Sequence, residues 1–160
     1  MKIFRFLIFF LVLSLFSCPV FANKPLVSAD MKTYDAATDV YRLDGNVRVE
    51  WPGCIITCGH AQVRGGTMEF WAQEDIVLQQ GEILFSCDEL YFASPSRTSI
   101  MRGNCSFTET ALSILSDSAV FNLDTNTAEF VGNVNYTFND QEASCNRLVF
   151  NANTHEVLVE

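Results

Sequence analysis

Cationic residues are what this chain has least of: 10 Lys and Arg stand against 19 Asp and Glu in 160 residues, a formal net charge of −9. A surface of that sign repels nucleic-acid phosphates and anionic membrane faces, so neither is an expected partner. Histidine is scarce too, with 2 in the chain. Neither His60 nor His155 belongs to a Ser/His/Asp set with a supporting motif, and there is no Gly-rich phosphate loop or Walker-type lysine. Triad and nucleotide chemistry are thereby excluded, and no cofactor or enzymatic activity is expected. Adjacent carboxylates occur at Glu74-Asp75 and Asp88-Glu89, but neighbours in a strand point to opposite faces and cannot flank one substrate. A sustained helical period is also missing after the first two dozen residues.

The amino terminus is different in kind. Lys2 and Arg5 precede an apolar run from Phe6 to Phe16, and Val20-Phe21-Ala22 closes it with small residues at the two positions a signal peptidase reads. This layout predicts a secretory signal peptide over residues 1–22 and one domain over 23–160. The alternative is a retained anchor, because Phe6–Ala22 sits at the short limit for crossing a bilayer. A lipoprotein site at Cys18 is disfavoured by bulky Phe16 and by Pro19. Loss of the leader leaves 8 basic against 19 acidic residues and five cysteines. An exported location permits disulfides, and an odd count leaves at least one cysteine without an intrachain partner.

What fills the rest is a 29-residue repeat. Cys58-Gly-His-Ala-Gln-Val63 is echoed by Cys87-Asp-Glu-Leu-Tyr-Phe92, Ser116-Asp-Ser-Ala-Val-Phe121 and Cys145-Asn-Arg-Leu-Val-Phe150. The same step relates Gly45-Asn46, Gly103-Asn104 and Gly132-Asn133, with Glu74-Asp75 as the divergent member, and Thr38, Thr67, Ser96, Thr125 and Thr154. Such a period marks a stack in which each unit buries its apolar face against its neighbours. Each unit reads as two extended segments. Tyr41, Leu43, Val47, Val49 and Trp51 alternate with Arg42, Asp44, Arg48 and Glu50, the mark of a strand with one buried face. Glycine interrupts this first segment, and a one-residue slip interrupts the second, so each predicts a bulge or corner. Turns are signalled at 35–39, 51–54, 64–67, 80–82, 94–96, 139–141 and 151–153. The expectation is all-β, with two facing sheets.

The inward columns supply an apolar wall: Leu43, Val47, Val49, Ile56, Leu78, Phe85, Met101, Phe107, Ile114, Phe130, Val134 and Tyr136. Composition alone does not separate a ligand-holding groove from a closed core at these positions. The string Asp30-Met-Lys-Thr-Tyr34-Asp35, Thr38, Tyr41, Leu43-Asp-Gly45-Asn46-Val47, then Ile56-Thr-Cys58 and Ala61, resembles the LptA/OstA-like family of lipopolysaccharide transport. A partial copy follows at Phe121-Asn122, Thr125 and Phe130-Val-Gly132-Asn133-Val134. The resemblance spans roughly residues 29–160. It implies an open, twisted β-jellyroll in the periplasm whose groove shields lipid A acyl chains, with the twelve wall residues as its lining. It also implies head-to-tail stacking between an LptC-like inner-membrane protein and an LptD-like outer-membrane protein. Cysteine richness and Glu74 in place of a glycine depart from that pattern. A membrane-anchored LptC-like component and a structural β-solenoid filament with a filled core are the rival readings.

Three lesser signals remain. Cys54-x3-Cys58-x-His60 lacks a fourth ligand, so no metal site is expected and the cysteines read as small buried hydrophobes. Cys58–Cys87 would fit a disulfide if successive repeats stack as neighbouring strands, whereas Cys87–Cys145 would not. Trp71, Ile100 and Leu158 fall on one outward column.

Overall fold

The computed structural model describes residues 26–51 and 53–159; the expected leader lies outside them. Among the described residues the chain is all β and no helix is long and apolar enough to cross a membrane. Two short strands, β1 (Leu26–Ser28) and β2 (Met31–Asp35), precede eight long ones. These are β3 (Val40–Trp51), β4 (Cys54–Arg64), β5 (Glu69–Gln80), β6 (Ile83–Ala93), β7 (Thr98–Glu109), β8 (Leu112–Asn122), β9 (Thr127–Phe138) and β10 (Gln141–Asn151). The last is β11 (Glu156–Val159). All pair antiparallel in one 11-stranded sheet that runs from β3 to β11 in sequence order, with β1 and β2 end to end along one edge of β3.

The two layers expected from the sequence are therefore halves of one continuous sheet. Every long strand crosses both, so a repeat adds two half-strands to each layer. The crease is a row of bulges. Between β3 and β4 the register passes from Asp44↔His60 to Val47↔Cys58, leaving two residues, Gly45-Asn46, against the single Gly59. The same break recurs at each long-strand pair, as between Arg102 and Cys105. An extra residue on alternate strands bends the sheet and sharpens its twist.

Ring contacts prove the fold-over. Phe107 lies beyond the bulge of β7, and Phe130 before the bulge of β9, yet their centroids are 5.6 Å apart. On a flat sheet two strands over and several residues along, they would be roughly 20 Å apart. Phe107 also meets Phe150 of β10 at 5.3 Å. The apolar faces of both halves thus converge on one core, in which Ile114, Phe130, Val134 and Leu148 are fully buried.

At the crease the sequence solves a backbone problem with a fixed set of residues. Gly45, Gly103 and Gly132 adopt φ of 75°, 73° and 81°, and the following Asn46, Asn104 and Asn133 adopt 45°, 46° and 46°. Glycine has no Cβ to oppose this region, and asparagine tolerates it. An aspartate lies over each glycine: Asp30 in the bend between β1 and β2, Asp88 on β6 and Asp117 on β8. Each accepts a 2.8 Å hydrogen bond from the asparagine side-chain amide. The divergent unit exchanges the parts. Gly59 stands in the aspartate column, and a Cβ there would come within 2.7 Å of the Glu74 carboxylate and 2.8 Å of its Cβ. Glu74 fills the space from the other strand, at φ 63°, followed by Asp75 at 48°.

Candidate functional site

The interior between the layers is the candidate site, and its walls follow from register. In the half beyond the crease, one inward row runs Val49, Ile56, Leu78, Phe85, Phe107, Ile114, Tyr136, Ala143 from β3 to β10. Opposite it runs Leu43, Ala61, Ala72, Leu90, Met101, Ala119, Phe130, Leu148. All twelve wall residues expected from the sequence face this interior. Ten are buried; Leu78 and Tyr136 are half-buried and pack against the same cluster. The even strands add Leu90, Leu148 and Phe150, which the same period-two alternation supplies and the expected lining left out.

The walls touch over the middle of the sheet and separate from cover at its ends. At the β2 end the stacked rings of Tyr34 and Tyr41, 4.4 Å apart, are about half exposed. At the β10 end Phe138 and Ala143 face inward yet are exposed. Across the mouth, His155 in the turn after β10 reaches Glu109 at the end of β7, Nδ1 to Oε1 3.4 Å, with its ring against Phe150. In the sequence His155 belongs to no catalytic set, and nothing near it suggests a partner. Its partner lies in the opposite layer, a relation that spacing along the chain does not encode.

The crease row itself is Val47, Cys58, Ile76, Cys87, Cys105, Ser116, Val134 and Cys145. Cys58, Cys87 and Cys105 are buried as expected, whereas Cys145, nearer the end of the sheet, is only half-buried; the column also bonds. Cys87 Sγ donates to the Glu89 carbonyl at 3.3 Å and Ser116 Oγ to that of Ser118 at 3.1 Å. That shared bond across the bulge explains why serine substitutes in a cysteine column. Burial pushes the thiols up, Cys58 and Cys105 to about 11 and Cys87 to about 12, the last with help from the nearby Cys105. Thiols held so high are poor nucleophiles at neutral pH. The Cys58–Cys87 bridge is not set up: each repeat lays down two strands, so Ile76 of β5 stands between them. Cys58 faces inward while His60 is half exposed on the outside, so the Cys54-x3-Cys58-x-His60 string does not converge. Among the described residues no group of three or more His, Cys, Asp or Glu is placed to hold a metal ion.

Outside, the crease is acidic. His60 Nδ1 lies 2.7 Å from Asp44 and Nε2 3.4 Å from Glu74. The Asp44 hydrogen bond, and then the charges of Glu74 and Asp44, raise the imidazole above its ordinary value against a smaller opposing effect of burial. The outward column holds Trp71, Tyr91, Ile100 and Val120 in adjacent strands, and continues to Leu158. Trp71 leans on Tyr91 at 5.3 Å under the Arg64 guanidinium, and the Tyr91 hydroxyl donates to Glu69 at 2.8 Å. A shallow hollow of about 360 Å³ lies over Trp71, Tyr91, Ile100 and Arg102.

The fold and its interior define a class: a repeat-built antiparallel sheet creased into two apolar-faced layers. No protein-family model and no curated protein sequence matches the chain. Among solved structures it is similar to LptH, described as the LptA homologous periplasmic component of the conserved lipopolysaccharide transport device from Pseudomonas aeruginosa. The identity is 13%, over 86% of this chain and 82% of that one, with a TM-score of 0.36. The likeness is loose by both measures.

Proposed function

We propose that this chain is a periplasmic lipopolysaccharide-transport protein that shields acyl chains between its two layers and catalyses nothing. The observation that carries the reading is the interior. Its apolar rows run unbroken across eight long strands, and at both ends inward-facing apolar side chains stand uncovered. A methylene transferred from water to such a wall gains about 0.8 kcal/mol. Parting the layers to admit a chain replaces side chain–side chain contacts with side chain–acyl contacts, so the apolar area kept from water changes little. The crease supplies the hinge, and the His155–Glu109 contact, with an exposed histidine and a largely covered glutamate, is the tie across the mouth that must break. Energy for directional movement would come from elsewhere, through LptC-like and LptD-like partners reached by the two sheet edges.

The Phe107 contacts with Phe130 and Phe150 favour a second reading, a structural filament with a permanently filled core. Site-specific photo-crosslinking in the native envelope separates the two. Probes at Val47, Phe107 and Tyr136 are expected to capture lipopolysaccharide, and probes at the outward Arg48 and Asn135 to capture none. Lipid adducts absent from all three inward positions would sink transport and leave the filament.

A further inference from the structure

We infer that Cys87 and Cys105 form a disulfide site, joining β6 to β7 at the crease when the chain folds in an oxidising compartment. The strands pair Phe85↔Phe107 and Ser86↔Ser106, and the bulge begins with the next residues, Cys87 and Cys105, both free thiols in the structure; continued by one step into the bulge, the register would set them opposite each other. Opposed residues of an antiparallel pair have Cα atoms about 4.5–5.5 Å apart, inside the disulfide window of about 4.4–6.8 Å. Both side chains point into the interior and are almost fully buried. Burial raises the Cys87 thiol, and the charge of Cys105 adds to it, as neighbouring charges do. No other cysteines of this row are neighbours: Cys58 lies beside Val47 and Ile76, and Cys145 beside Val134.

The chemistry is an exchange. Each thiol loses a proton, the Cys87–Cys105 bond forms, and the two electrons cleave the disulfide of a dithiol-disulfide carrier, which leaves as two thiols. Attack requires a thiolate, and burial in the finished fold suppresses it. The bond therefore forms before the layers close and is afterwards beyond the reach of soluble reductants. Its position gives it a use whatever the interior carries. β6 and β7 are the central pair of the eight long strands, so the bond pins the crease at mid-sheet and leaves the two halves free to move about it.

The test is a peptide map of the protein purified from the envelope, acid-quenched, then alkylated in denaturant without reductant. Tryptic peptide 65–97 carries Cys87, and peptide 103–147 carries Cys105 and Cys145. The expected result is a species joining the two, lighter by two hydrogens, whose fragments place the bond at Cys105. The link is expected to persist in Cys145→Ser and to vanish in Cys105→Ser. Recovery of peptide 65–97 with an alkylated Cys87, or a bond located by fragmentation at Cys145 or Cys58, overturns the assignment without needing any variant to fold.

Discussion

The exchanged corner at Gly59 and Glu74 can be put back. If the crease needs one acid over one residue lacking a Cβ, and is indifferent to which strand supplies which, then Gly59→Asp alone must fail. Its new Cβ would lie 2.8 Å from the Glu74 Cβ, and two carboxylates would compete for one space. Overpacking costs about 1–3 kcal/mol and like charges add to it, so a loss of about 2–4 kcal/mol is expected. Glu74→Gly with Asp75→Asn relieves a left-handed residue, worth about 1–2 kcal/mol, but loosens the unfolded chain and leaves the corner empty. That pair is expected to fall within about 1 kcal/mol of the parent. The triple variant rebuilds the Asp88–Gly103–Asn104 arrangement, with an amide at position 75 to bond the new carboxylate at position 59 where Asp75 would repel it. It is expected within about 1 kcal/mol of the parent, so the coupling between the single and double changes is about 2–4 kcal/mol. Thermal unfolding resolves this, since each kcal/mol moves the midpoint by roughly 3–4 °C at this size. Equal losses in the single and triple variants would show that the corner is not a steric partnership.

Two further outcomes follow from the same geometry. The His60 imidazole is raised chiefly by its Asp44 hydrogen bond, so its contribution is complete below the unfolded value of about 6.5 and fades as pH climbs through the higher folded value. The melting temperature should therefore fall above about pH 6.5 in the parent and fall less in His60→Gln; superimposable pH profiles would refute the link. We propose that copies associate head to tail through the β11 edge; removing residues 157–160 is then expected to lower the particle mass, and unchanged mass by light scattering would count against that edge.

The strands were legible because alternation in this chain is nearly unbroken, and most turns carry Gly, Pro, Asn or Asp. The turn between β7 and β8 carries none of these: Thr110 takes φ 38° there, held by the flanking strand pairing, by its hydroxyl donating to Glu82 and by the Asn139 N–H donating to the Ala111 carbonyl. The bulges were visible as Gly-Asn on one segment and a slip on the other. Their union into a single crease was not, because continuity of a hydrogen-bonded ladder is a property between segments. Glu74 looked like a defect when read down its own column; its compensation, Gly59, sits on another strand 15 positions earlier. The Cys58–Cys87 expectation failed for a related reason. A period of one repeat was equated with one strand spacing, whereas the hairpin in every unit makes it two. The inward placement of the twelve wall residues followed from parity, which a sequence states directly. Whether facing walls touch depends on how sharply the sheet bends, which it does not state.

That doubled step has a consequence for the reach of the molecule. A unit of 29 residues lengthens the creased sheet by two strand spacings, roughly 9.6 Å, while leaving its cross-section untouched. Duplication or loss of a whole unit would thus act as a ruler with one graduation. The span could be reset in increments without redesigning either wall, provided the cut fell between turns and not at the corner, where neighbouring units share an acid and a glycine.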